Sequence, residues 1–183
     1  MTPQQLALAT GARIDRAKLF LEPIERARFE FGIIEKHRLA AFLANVGHES
    51  GGLKFLTELW GPTDAQRRYE GRKDLGNVLP GDGFKYRGRG LFQTTGRDNY
   101  HRYGKLMGLE LLAQPGLLAL PDNAARSAGF YWAQNNLNDW ADRLDFDGVC
   151  DIINRGKKTA TVGDSNGWAE RKALYAIGME VLE

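Results

Sequence analysis

Two glutamates nine positions apart are the residues of this sequence best placed to do chemistry. Glu49 closes a helix-spaced apolar stripe and is followed by Ser50-Gly51-Gly52, whereas Glu58 lies beyond that glycine break on a segment without periodicity. A carboxyl fixed at the end of an apolar helix suits a general acid, and a carboxylate on a nearby loop suits a general base. A fully extended link would hold them about 30 Å apart, but the glycines let it fold back. Separations of roughly 6.5–9.5 Å, which leave room for an attacking water, are then within reach, as is the tighter spacing of a nucleophilic mechanism. The competing reading of each residue is a solvated surface charge, the ordinary fate of a glutamate.

Other groups could serve that pair. Gln93, Thr95 and Asn99 follow the glycine-rich run Arg87-Gly88-Arg89-Gly90. They offer uncharged donors and acceptors suited to sugar hydroxyls, acetamido groups or an oriented water. The run itself lacks the lysine and the preceding strand of a phosphate loop. Arg171 shares a helix stripe with Leu174, Gly178 and Val181, so it either reaches out to solvent or pairs with a buried carboxylate. Asn154 is either a helix cap or a site residue. Trp60, beside the loop glutamate, is read as a sugar-stacking platform. His48-Glu49 would need a second histidine at position 52 to bind zinc, and that position is Gly52. His48 is therefore read as a hydrogen-bonding neighbour of the carboxylates, and neither a metal nor a cofactor is expected.

The elements that must position these residues are mostly helical. Thr2-Pro3 begins a short helix to about Thr10. Asp15 is expected to cap a second helix that ends at Gly32, with Pro23 kinking or dividing it. Leu39, Phe42, Leu43 and Val46 mark a buried helix from about Glu35 to His48. From Gly51 to Gly96 the periodicity dissolves among glycines and prolines, while aromatics such as Phe55, Trp60, Tyr69 and Phe84 argue against disorder. This stretch reads as the ordered wall of a cleft, with a short hairpin near Pro80 to Gly83. Helices return over Asp98 to Gly108, from Pro121-Asp122 through Trp132, and from an Asp145 cap to Gly156. After a loop from Lys157 to Gly163, Ser165 opens the last helix. The expectation is one mainly α domain over residues 1–183, with at most a small β-hairpin.

Bulk properties exclude several classes. A formal net charge of +2 is too small to argue for nucleic acid, though compatible with an anionic polymer. No stretch approaches the roughly 18 consecutive apolar residues of a membrane span, and the first residues do not read as a signal peptide. The lone Cys150 allows no intrachain disulfide and reads as packing.

Taken together, His48-Glu49-Ser50-Gly51-Gly52, Glu58, Tyr86 to Thr95, Asn99-Tyr100, Ile152 to Gly156 and Arg171 occur in an order that resembles the glycoside hydrolase family 19 chitinase-like proteins, and within them the phage endolysins. The resemblance covers nearly the whole chain. It implies a lysozyme-like helical fold with a cleft between two lobes and inverting hydrolysis of β-1,4-linked N-acetylated amino sugars. Glu49 matches the general acid, Glu58 resembles the general base, and Thr95 stands where the family holds the attacking water. Gln93, Asn99 and Asn154 match sugar-contacting or network positions, and Arg171 resembles an arginine coupled to the catalytic carboxylates. The plant chitinases of the family carry disulfides, longer loops and a more distant second glutamate, so this shorter pattern favours peptidoglycan strands over chitin. A single-domain monomeric endolysin without a wall-binding module is implied. It would be made in the host cytoplasm and act on periplasmic peptidoglycan after holin-type release. A chitinase, a lytic transglycosylase and a non-catalytic glycan binder are the rival expectations.

Overall fold

The structure is a computed structural model describing residues 1–183, and ten α-helices and two short 3-10 helices account for its regular structure. Helix α1 (Pro3–Thr10) starts on a reciprocal cap: Gln5 N donates to Thr2 Oγ1 at 3.2 Å, and Thr2 N donates to Gln5 Oε1 at 2.7 Å. Helix α2 (Ile14–Glu30) departs from expectation at its start, and Pro23 does not divide it. Asp15 sits inside its first turn and pairs with Arg13, which occupies the capping position without a side-chain capping bond. Pro23 lies within one continuous helix. A mid-helix proline costs about 3 kcal/mol locally, and the packing of α2 along α7 (Pro121–Gln134) compensates for it.

Helix α3 (Lys36–Ser50) is the centre of the molecule. Every residue from Leu39 to Gly47 is buried, so the helix is covered on all sides and not only along its leucine-phenylalanine stripe. Helices α1, α8 (Leu137–Asp142), α9 (Phe146–Arg155) and α10 (Trp168–Val181) surround it. The alanines and Gly47 make this enclosure practicable, since large side chains on every face could not be packed at native density. At Ser50 the helix stops, with Gly51 and Gly52 both in the left-handed region. Cys150, on α9, is fully buried in this core, and burial pushes its thiol pKa up to about 12.

The apolar residues form two clusters. The larger is built around α3, and the smaller contains Tyr86, Tyr100, Tyr103, Met107, Leu111 and Leu118 around α6 (Arg97–Met107). Phe130, packed edge-to-face on Tyr103 of the smaller cluster and on Phe31 of the larger, joins the two.

The wall from Gly51 to Gly96 is ordered as expected, but its contents differ. It holds two single-turn helices, α4 (Asp64–Arg67) and α5 (Asp82–Lys85), and a 3-10 turn at Lys73–Leu75. The hairpin expected near Pro80 to Gly83 is absent, because Asp82 accepts from Leu79 N at 2.9 Å and turns the chain into α5. The only β pairings are isolated bridges of Arg89 with Thr57 and Thr94. Asp82 is also held by Arg97 at 2.6 Å, and this arginine keeps its carboxyl pKa below the usual carboxylate range.

Two outcomes follow from these contacts. A Cβ added at Gly47 would lie 2.4 Å from the backbone oxygen of Thr10. Gly47→Ala should therefore destabilise the fold by about 1–3 kcal/mol, lowering the midpoint of a circular-dichroism melt by several degrees. Asp82, depressed in the folded state, contributes stability that is present above its unfolded pKa and is lost as pH falls through the folded value. Asp82→Asn should accordingly lower the melting midpoint at pH 7 and have a smaller effect at pH 3.

Candidate active site

Glu49 points from the last turn of α3 toward α10, where Arg171 meets it. The Arg171 side chain is fully buried, and its three nitrogens are each engaged. Nη2 donates to Glu49 Oε1, Nη1 to Asn45 Oδ1 at 2.5 Å, and Nε to the carbonyl of Asn166 at 2.9 Å. Of the two readings open for Arg171, pairing is the one found. Asn45 is fixed in turn by donating to Ala41 O at 2.8 Å. The sequence reading missed Asn45, although a polar residue one turn before Glu49, inside an otherwise apolar helix, was a signal for it. Glu49 keeps 23% of its side-chain surface exposed, and its Oε2 accepts from no protein donor. One oxygen is anchored and the other is free to exchange a proton.

Glu58 is held on the opposite wall by neutral donors. Gln66 Nε2 donates to Oε1 at 2.9 Å and Gly88 N to Oε2 at 3.0 Å, while Glu58 N donates to Gly88 O at 2.8 Å. Gln66 is itself fixed, accepting from Thr63 N at 2.8 Å and donating to Leu59 O at 2.7 Å. No cation pairs with Glu58, so its negative charge is oriented without being neutralised. Burial and the nearby Glu58 charge raise the pKa of the Tyr69 phenol.

Gln93, Thr95 and Asn99 line one depression of about 220 Å³ together with Phe92, Tyr103 and Tyr131. Gln93 adopts φ 48°, a left-handed conformation that a side-chain-bearing residue seldom takes. Its amide donates to Gly90 O at 2.9 Å and to Phe55 O at 3.2 Å. Thr95 Oγ1 donates to Gln93 O at 2.9 Å, which leaves the hydroxyl oxygen as an acceptor. Asn99 donates to Thr95 O at 2.7 Å and accepts from Arg102 at 2.9 Å, fixing this turn at the start of α6. Tyr131, which the sequence analysis did not single out, ties the depression to Glu49. Its phenol donates to Ile152 O at 2.8 Å, and its pKa is raised by burial and by the Glu49 charge. On the other side Gly88 connects it to Glu58: a Cβ there would lie 2.7 Å from Gln93 Oε1 and 3.4 Å from Glu58 Oε2.

The remaining predicted residues sit around this arrangement. The His48 ring meets Glu170 at 2.6 Å, not Glu49 or Glu58, and thereby clips α3 to the start of α10. It also presses on Gly167, whose added Cβ would be 1.9 Å from the ring, so α10 begins at Trp168 after a left-handed glycine and not at Ser165. Trp60 packs edge-on to Phe84 at 5.3 Å and near Tyr69 at 6.2 Å, forming an aromatic ledge on the Glu58 wall. Asn154 accepts from Asn166 N at 3.0 Å, so it holds the residue whose carbonyl supports Arg171.

That support extends into the loop between α9 and α10. Asp147 and Asp151, both buried on α9, converge on Lys158 of the loop, with Asp145 at 3.8 Å and Asp151 at 3.4 Å from its amine. Burial opposes the lysine charge, but the carboxylates outweigh it and raise its pKa. The loop is otherwise exposed at Ala160, Thr161 and Val162. Lys158→Met would strand two buried carboxylates and release the loop that carries Asn166. The expected result is a melting midpoint lowered by several degrees; Lys158→Arg should recover much of the loss, and a melt unchanged by Lys158→Met would refute the role.

No family model matches the chain. It is 34% identical over 129 residues to a glycosyl hydrolase family 19 domain-containing protein of Haemophilus influenzae, covering 55% of this chain and 64% of that relative. An Arabidopsis thaliana endochitinase is 35% identical over 105 residues, covering 57% of this chain and 35% of its own. The relatives also include an Arabidopsis protein described as an inactive endochitinase, 30% identical over 105 residues. The chain thus spans less than two thirds of the length of the curated relatives it matches. Among solved structures, a bacterial family 19 chitinase superposes with a TM-score of 0.72 at 22% identity, over 99% of this chain and 94% of that one. Chitinase C from Streptomyces griseus gives 0.71 at 22% identity, over 99% and 76%. Over a little more than half of its length the chain is similar to chitinase-like glycosyl hydrolase family 19 proteins, and it has the helical fold of solved family 19 chitinases.

Proposed function

We propose that the protein is a glycoside hydrolase that cleaves β-1,4 bonds of bacterial peptidoglycan, in the manner of an endolysin. The observation that carries the reading is the contrast between its two carboxyls. Glu49 is anchored through one oxygen to a buried arginine with the other oxygen free, whereas Glu58 is an oriented carboxylate with only neutral donors. Glu49 Oε2 gives its proton to the leaving glycosidic oxygen. Glu58 takes a proton from a water that attacks the anomeric carbon from the opposite face, so one O–C bond breaks as another forms and the configuration inverts. Thr95, Gln93 and Asn99 hold the water and sugar, and Trp60 supplies an apolar face for a pyranose ring. Support for peptidoglycan over chitin comes from the compact pattern with its single cysteine. The endochitinase relatives favour the second reading, hydrolysis of chitin oligomers.

General acid and base groups each contribute about 10²–10⁴-fold in rate. Glu49→Gln and Glu58→Gln should each reduce lysis of permeabilised bacterial cells by such a factor while leaving the circular-dichroism melt near that of the parent. Retained activity in Glu49→Gln would sink the acid assignment. Mass spectrometry of digested glycan strands should show free reducing ends; an anhydro ring would identify a transglycosylase, for which Glu58 would be dispensable. Chitin oligomers cleaved as fast as cell walls would favour the second reading.

A further inference from the structure

Three cations alternate along the wall next to Glu58: Lys85, Arg87 and Arg89. None has a carboxylate within 4 Å, whereas nearby Arg72 pairs with Asp74 and Arg97 with Asp82. Arg89 is 6% exposed and donates from Nη1 to Lys85 O and to the Tyr100 hydroxyl, both at 2.8 Å. Burial pushes the Tyr100 phenol pKa up to about 12, so it remains neutral and brings no counter-charge. Arg87 is half-buried, lies 4.2 Å over the Phe84 ring and donates from Nη1 to Phe84 O at 2.9 Å, while its buried Nε has no acceptor. Burial and the charge of Arg89 hold the Arg87 pKa below its ordinary value. An arginine so placed gains from an anion more than an exposed, fully hydrated one does.

Its position gives that anion a context. Phe84, on which Arg87 lies, is also the partner of Trp60, and the residue after Arg87 donates its backbone N–H to Glu58. A cationic rim therefore borders the aromatic ledge beside the carboxylate proposed to activate water. We infer that Arg87 forms a subsite for a carboxylate of the substrate, the free carboxylates on the peptide stems of a cell-wall glycan being the class that fits. This rests on the peptidoglycan reading above and deepens it. A neutral amino-sugar polymer has no group to satisfy Arg87, so the same subsite would set the preference for stem-bearing strands. Arg89, bonded to Lys85 O and Tyr100, holds the turn that presents Arg87.

The test uses two soluble glycan-strand fragments, one with free stem carboxylates and one with those carboxylates amidated. Binding is measured by calorimetry in the Glu49→Gln background, and cleavage in the otherwise unaltered chain. The chain should favour the free-carboxylate fragment about tenfold in Kd, a preference that fades with added sodium chloride. Arg87→Gln should remove most of that preference through KM more than kcat, and Arg87→Lys should keep part of it. Equal binding of the two fragments, or an equal loss on both in Arg87→Gln, would overturn the subsite. Cleavage of neither fragment, with chitin oligomers still cut, would instead overturn the peptidoglycan reading, and the binding preference would remain measurable by itself.

Discussion

A guanidinium with no exposure to water must find acceptors in its own fold, and Arg171 finds three. Two come from α3, through Asn45 and Glu49, and one from the loop before α10, through the carbonyl of Asn166. An unpaired buried cation would be costly enough to exclude the native arrangement. The angular placement of α10 against α3, the path of the loop and the orientation of Glu49 are therefore settled together. Close approach of Gly178 to Ala40 brings the two helices near enough for a side chain to reach across. The pairing is an electrostatic constraint that small residues make geometrically available.

The two walls of the site are stabilised by different physics. Around Glu49 the support is a packed helical core with one buried polar network. Around Glu58 it is a series of side-chain bonds to backbone: Gln66 holds its own turn, Glu70 accepts from Gly81 and Gly83, and Asn77 bridges Tyr69 and Arg97. Such bonds satisfy a loop that has too little apolar surface to form a core. Both lobes can thus be ordered while differing in how readily they open locally.

This difference explains what could be read from the sequence. Helices α1, α3, α7 and α9 announced themselves through caps and apolar spacing, because burial against neighbours is what selects those residues. Arg171 on an apolar stripe was legible as a choice between two fates, and Asn154 likewise. What escaped was relational. Asn45 and Tyr131 look like a satisfied helix residue and a core aromatic until Arg171 and Glu49 are placed beside them. The turn at Pro80 to Gly83 was misread because the partners of Asp82, Leu79 and Arg97, determine its shape, and no periodicity records a side-chain bond to backbone. His48 was assigned to the carboxylate pair by proximity in sequence, yet its ring leaves α3 on the side facing Glu170. The continuity of α2 through Pro23 reflects tertiary packing that outweighs a local rule.

Cys150 shows how the core is insulated from its chemical surroundings. The thiol has no exposed surface, its pKa is pushed up to about 12 and it has no second cysteine to meet. Thiolate is the species that reacts with oxidants and disulfides, and here it is suppressed by position. The fold therefore has no disulfide to break and no accessible thiol to exchange. Its architecture does not depend on the thiol–disulfide poise of the solution.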